Sequence, residues 1–127
     1  MKVNDCEIIE VETCKKEDLV VEVAKKLDEL GIRHMVVIDD NNSPVGVVSV
    51  TDISNKVVAK ENNPNEVKTE EIMNSPIFIV DHEDDAGKAY YGMVERNIFF
   101  CPVLEDNKMK GIVTFHEITK KITFPKE

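Results

Sequence analysis

One supersecondary pattern occurs twice in this chain, and that duplication limits the fold more than any other feature. The stretch from Gly31 to Ser54 is G-I-R-H-M-V-V-I-D-D-N-N-S-P-V-G-V-V-S-V-T-D-I-S. It reads as two short buried strands joined by a turn, running into a helix that opens at a hydroxyl and a carboxylate. Ile32, Val37, Asp40 and Asn41 recur 66 residues later as Ile98, Val103, Asp106 and Asn107. After a one-residue deletion in the turn, Gly46, Val48, Ile53 and Lys56 recur 65 residues later as Gly111, Val113, Ile118 and Lys121. A repeated unit of this kind buries its apolar face by packing with its copy.

Around the two copies the hydrophobic period alternates between strand and helix. Residues 8–14, I-I-E-V-E-T-C, alternate in part and read as a strand. Val20, Val23, Ala24, Leu27 and Leu30 lie on one helical face within Asp18–Leu30. Gly31 follows where a left-handed residue commonly ends a helix, and Asn97 holds the same place in the second copy. Met35–Ile38 and Gly46–Val50 are the paired strands, and residues 51–60 are a helix starting at Thr51 or Asp52. The polar stretch from Lys60 to Lys68, marked by Pro64, is the linker, dividing the chain into residues 1–62 and 63–127. The second half repeats the order: a helical turn at Glu70–Asn74, a strand at Ile77–Val80, and a helix from Asp84 or Asp85. That helix buries Ala86, Ala89, Tyr90, Met93 and Val94. Strands at Phe99–Leu104 and Gly111–Phe115 and a helix at Glu117–Thr123 complete it. Each half is β-α-β-β-α, and at roughly 60 residues neither buries enough surface alone, so the expected fold is α+β, two halves packed sheet to sheet.

Composition removes several functions. A formal net charge of −9, from 16 basic and 25 acidic side chains, disfavours nucleic acid, which needs a basic face. Cys6, Cys14 and Cys101 form no C-x-x-C pair and are odd in number, which fits a reduced, cytoplasmic setting. The N-terminus is too acidic for a signal peptide, and no apolar run approaches the ~20 residues of a membrane span. His34, His82, His116 and the cysteines lack zinc spacing. The run D-H-E-D-D from Asp81 to Asp85 lacks the spaced ligands and turn glycine of a calcium loop. Cys101 precedes a proline on a buried strand and reads as an inert thiol.

The corner from Ser49 to Asp52 carries the most chemistry. A strand running straight into a helix presents backbone N–H groups at the helix start, where an anion is favoured. Ser49 and Thr51 add hydroxyls, and Asp52 has two acceptor oxygens, which suits a vicinal diol. The same residues are also ordinary helix caps, and both readings stand on the residues alone.

The two copies resemble the cystathionine-β-synthase-type (CBS) domain in tandem, the Bateman module. The likeness rests on Gly31-Ile32, M-V-V-I-D from Met35 to Asp39 and G-V-V-S-V-T-D from Gly46 to Asp52. The second copy supplies Asn97-Ile98, C-P-V-L-E from Cys101 to Glu105 and G-I-V-T-F-H-E from Gly111 to Glu117. The lead-in E-I-M-N-S-P, from Glu71 to Pro76, adds to it. The resemblance implies a non-catalytic regulatory module that binds AMP, ADP, ATP or S-adenosylmethionine between the repeats. It would signal by a conformational shift to a separate effector protein.

By that likeness Asp52 would hold the ribose hydroxyls, with Ser49 and Thr51 on ribose or phosphate. His34, with Arg33 beside it, would face phosphate, and Val47 would flank adenine. Met73, Ile77, Phe78, Ile98 and Phe99 would form the opposite wall, although Met73 and Phe78 also suit plain core and His34 a strand spacer. A second, weaker site would use Ile32, Phe100, Ile112, Thr114, His116 and Glu117. There glutamate replaces aspartate and can overshoot a ribose, and Glu7 and Glu12 are poor neighbours for phosphate. A homodimer is expected from apolar helix faces around Val57–Val58 and Ile118–Ile122. The rival readings are a structural dimerisation module without ligand, and a small metal-dependent enzyme.

Overall fold

Each copy of the repeated stretch builds a three-stranded sheet with two helices, and the computed structural model describes residues 1–123 of the chain. In the first copy β1 (Thr13–Lys15), β2 (His34–Ile38) and β3 (Pro44–Ser49) lie in that order. β1 pairs parallel with β2, and β2 antiparallel with β3, setting Val37 opposite Gly46 and His34 opposite Ser49. β4 (Val80–Asp81), β5 (Phe100–Glu105) and β6 (Lys108–Thr114) repeat this, with Val103 opposite Gly111 and Phe100 opposite Thr114. The α+β class expected from the period changes is the class observed.

The helices bury the stripes their spacing dictates. α1 (Val20–Leu30) turns Val20, Val23 and Leu27 into a core with Cys14, Met35, Val37, Val48, Val57 and Ile72. Gly31 ends it with φ 65°, in the left-handed region where the lack of a Cβ costs nothing. α3 (Ala86–Arg96) buries Ala86, Ala89 and Met93, and Asn97 ends it at φ 53°. Asp85 caps it by accepting from the Lys88 amide at 3.0 Å. Leu30 and Val94 sit one step past the buried stripes and are exposed. The two turns differ as the deletion requires. Asp106 and Asn107 both have positive φ and close β5–β6 in two residues, whereas Asp39 Oδ1 accepts from Asn41 and Ser43 to shape the longer β2–β3 turn.

Several boundaries differ from expectation. The helix expected over 51–60 starts one residue earlier: Ser49 is its cap, α2 is Val50–Ile53, and a π-helical turn Ser54–Val58 continues it. That places Val57 in the core and leaves Val58 66% exposed. α4 (Phe115–Thr123) likewise starts before Glu117 and buries Ile118, leaving Ile122 exposed. So only half of each apolar pair invoked for a dimer face is at the surface. The strand expected at Ile77–Val80 is confined to Val80–Asp81, and Phe78 sets the tip of its ring against Gly92 of α3 instead of pairing in a sheet. The turn expected at Glu70–Asn74 is the 3₁₀ turn Thr69–Glu71.

The chain divides into two compact units, residues 12–77 and residues 1–11 with the chain from Phe78 onward. The run I-I-E-V-E-T-C is therefore shared: Ile9 bridges Ile112 in one unit, while Thr13 and Cys14 belong to β1 in the other. Residues 64–74 complete the first unit as residues 1–9 complete the second. Val67 O accepts from Val20 and Pro64 O from Val21, capping α1 with backbone that the sequence reads as linker. Met1 O accepts from Ala86 at the start of α3 in the same manner. Thr69 N donates to Asp18 O and Val3 N to Asp84 O, each at 2.8 Å. These lead-in segments explain the repeated glycine. A Cβ on Gly111 would lie 2.4 Å from Ile9 O, and one on Gly46 would lie 2.6 Å from Met73 Sδ.

Candidate functional site

The Ser49–Asp52 corner forms where β3 passes into α2. The Ser49 Oγ accepts from the Asp52 amide at 3.1 Å, and the Asp52 carboxylate reaches back to the Ser49 amide at 2.9 Å, a reciprocal capping box. Asp52 Oδ2 also accepts from Ser49 Oγ at 2.9 Å and from Asn74 Nδ2 at 3.0 Å. Its other oxygen, Oδ1, lies 3.1 Å from Lys56 Nζ, one helical turn on. The Asp52 side chain is 9% exposed and that of Lys56 42%. A nearly buried carboxylate needs such partners, and these donors supply them.

Asn74 reaches the corner because it sits in the lead-in segment. Its backbone exchanges two hydrogen bonds with Val47, at 2.9 and 3.1 Å, lying beside β3 as a short antiparallel bridge. Lys56 ties the same segment down from the other side, donating to Ile72 O at 2.9 Å and Asn74 Oδ1 at 3.4 Å. Sequence reasoning passed over both residues. Lys56 could have been found from its recurrence as Lys121 and its place four residues after Asp52, where helical side chains meet. Asn74 carries no such signal, since its approach depends on a strand bridge distant in sequence.

The anion cradle expected at the helix start is largely spent. The Val50 amide donates to Arg33 O at 3.0 Å and the Asp52 amide to Ser49 Oγ, leaving Thr51 between them. Charge for a phosphate must come from side chains. Arg33 and His34 are exposed, His34 on the strand position opposite Ser49. A groove of about 350 Å³ between α1 and α2 is lined by Leu27, Ile32, Arg33, Val50 and Ile53, and its lining does not include Ser49 or Asp52. Val47, Met73 and Ile77 are half-buried; Met73 packs on Gly46 and the core of its unit.

The remaining predicted wall residues lie in the other unit. Phe78 is half-buried against Gly92, with the Arg96 guanidinium 4.3 Å from its ring centre, so much of its surface is already covered. Ile98 packs on that unit's core, whereas Phe99 is 73% exposed.

The second corner repeats the geometry with different partners. Thr114 Oγ1 accepts from the Glu117 amide at 3.1 Å, and the Phe115 amide donates to Phe99 O at 2.7 Å. Glu117 is buried. Its Oε2 accepts from the Glu7 amide at 2.7 Å, and its Oε1 lies 3.2 Å from Lys120 Nζ. The extra methylene thus carries the carboxylate onto the lead-in backbone. The Glu7 amide, helped by Lys120 and Lys121 against the opposing effect of burial, holds this carboxyl below the usual range. Phe100 and Ile112 are half-buried, Ile112 bridging Ile9, and His116 is exposed.

Thiol chemistry is disfavoured at all three cysteines. Burial pushes Cys14 and Cys101 up to about 12, with Asp18 adding to the effect at Cys14, and burial also raises Cys6. Among the described residues no three His, Cys, Asp or Glu side chains converge as metal ligands, and no helix is long and apolar enough to cross a membrane.

Comparison with known proteins accounts for the duplicated geometry. Residues 3–59 and 69–123 each match the CBS domain family. An uncharacterized protein of Methanopyrus kandleri is 35% identical over 77% of the chain, which spans 50% of that relative's length. A protein with CBS domains from Burkholderia ambifaria MC40-6 is 26% identical with a TM-score of 0.71, covering 92% of this chain and 85% of that one. A CBS domain pair solved with 5′-methylthioadenosine and S-adenosyl-L-methionine superposes with a TM-score of 0.74 at 24% identity, covering 99% and 98%. The chain belongs to the CBS domain family and carries that domain twice in tandem, as a Bateman module.

Proposed function

We propose that this module is a regulatory sensor, not a catalyst, and that it takes an adenosine-containing ligand at the Ser49–Asp52 corner. The observation that carries the reading is Asp52 itself: a carboxylate set at the end of β3 by its own capping box, with Oδ1 shared only with a half-exposed lysine among the contacts described. A ribose hydroxyl can share that oxygen. The similarity to a pair that binds methylthioadenosine and S-adenosylmethionine supports the ligand class. The second corner is a structural latch in this reading, since Glu117 is committed to the Glu7 amide, so one ligand binds per chain. Signalling follows from differential affinity: a ligand preferring one arrangement of the module shifts its population, and a partner chain or a second copy reads the change. The setting is cytoplasmic.

Calorimetry and thermal shift with adenosine, AMP, ADP, ATP and S-adenosylmethionine test this. A ligand at 100 times its Kd adds about 2.7 kcal/mol to native stability and raises the melting temperature. Asp52→Asn should weaken binding by about tenfold or more, since a hydrogen bond to a charged group is worth about 1.5–3 kcal/mol. Asp52→Ala is the poorer probe, because it strips four donors and lowers stability by about 2–4 kcal/mol. Failure of all five compounds to bind would sink the sensing role. It would favour the alternative of a structural dimerisation module, for which the internal saturation of Asp52 Oδ2 is the supporting observation.

A further inference from the structure

We propose that Lys56 sets the charge preference of the Asp52 corner, favouring phosphate-bearing ligands over neutral ones; this rests on the reading of that corner as an adenosine site. Oδ2 of Asp52 already accepts from the Ser49 amide, the Ser49 hydroxyl and the Asn74 amide, at 2.9, 2.9 and 3.0 Å. A diol therefore approaches Oδ1, which the Lys56 ammonium holds at 3.1 Å. A hydroxyl bonded to Oδ1 sits beside that ammonium, because both are within hydrogen-bond reach of one oxygen.

The ammonium is fixed where it stands. Its three protons face three acceptors: Asp52 Oδ1, Ile72 O at 2.9 Å and Asn74 Oδ1 at 3.4 Å. Two consequences follow. Lys56 cancels the Asp52 charge, so a phosphate does not meet a bare carboxylate. With the Val50 and Asp52 amides spent inside the chain, it is also the cation built into the corner, whereas Arg33 and His34 are exposed where β2 begins. Without the ammonium, Oδ1 is open to a hydroxyl while the uncompensated carboxylate repels phosphate. A neutral nucleoside loses little, and a nucleotide loses more.

Calorimetry with adenosine and AMP on the wild type, Lys56→Met and Lys56→Arg tests the idea, with all titrations well below each variant's melting temperature. The expected result is an AMP-to-adenosine affinity ratio lowered at least about threefold in Lys56→Met, the effect of one charge within roughly 10 Å of a dianion at high effective dielectric. Lys56→Arg should restore the ratio. Should Lys56→Met fail to fold, Lys56→Gln, which keeps a donor for Ile72 O, carries the same comparison. An unchanged ratio overturns the proposal, including the case in which both affinities fall equally, as a purely structural role for Lys56 requires. Adenosine and AMP both failing to bind the wild type would overturn this inference, and the ligand reading falls with it only if ADP, ATP and S-adenosylmethionine also fail; binding with an unchanged ratio overturns this inference alone.

Discussion

Two acidic residues in equivalent places show how one methylene redirects a side chain. Asp52 is short and stays within its own turn, accepting from Ser49 and reaching Asn74 only through that residue's amide. Glu117 passes its own turn and takes the Glu7 backbone N–H at 2.7 Å. Because that contact lowers its folded pKa below the unfolded value, Glu117 contributes stability that is fully present above about pH 4.3, the ordinary glutamate value. The contribution fades as pH falls through the lower folded value. Glu117→Gln retains an acceptor for Glu7 but cannot ionise, so its unfolding midpoint in urea should vary less with pH between about 5 and 3 than the wild type's. Identical pH profiles for the two proteins would refute the assignment. The difference between the two corners was readable in the sequence as a substitution, since a longer carboxylate was expected to overshoot. The resemblance set Glu7 near that corner as a side chain hostile to phosphate; that its backbone N–H receives the Glu117 carboxylate, from 110 residues away, depends on where the first segment docks.

Among the elements, the helices and central strands followed from period, and the boundaries that moved did so for identifiable reasons. α1 and α3 bury the expected stripes except at their ends, where Leu30 and Val94 are exposed, and Gly31 and Asn97 end them in the left-handed conformation their residue types favour. The start of α2 was misplaced because Ser49, Thr51 and Asp52 are all good caps, and only the Ser49–Asp52 reciprocity separates them. Phe78 looked like strand and lies on Gly92, a contact no local pattern announces. The repeated glycines Gly46 and Gly111 were legible as a motif, but their purpose, admitting a lead-in segment across the strand, was not. The two differ in a way that can be measured. At Gly111 an added methyl meets the Ile9 carbonyl, backbone that cannot step aside, while at Gly46 the nearest atom is a flexible methionine sulfur. Gly111→Ala should therefore destabilise by about 2–3 kcal/mol, in the range of an overpacked site, and Gly46→Ala by about half as much. Equal losses in denaturant unfolding would contradict this packing account.

At the scale of the whole molecule, the duplication yields two units that do not coincide with the two halves of the chain. Residues 1–11 belong with the chain from Phe78 onward, and the stretch before Ile77 closes the other unit. Removing residues 1–9 deletes the Val3–Asp84, Asn4–His82, Ile9–Ile112 and Glu7–Glu117 hydrogen bonds together. Hydrogen exchange of the truncated protein should show β5, β6 and α3 losing protection while α1, β2 and β3 keep most of theirs. Uniform loss across both sets, or none, would argue against the division. The exchange of segments also orders events on the ribosome. Everything needed for the unit of residues 12–77 has been made once Ile77 leaves the exit tunnel, so it can mature early. Residues 1–11 are translated before that unit yet dock after it, since their seat on β6 is not made until residues 108–114, and until then they wait without the partners that order them.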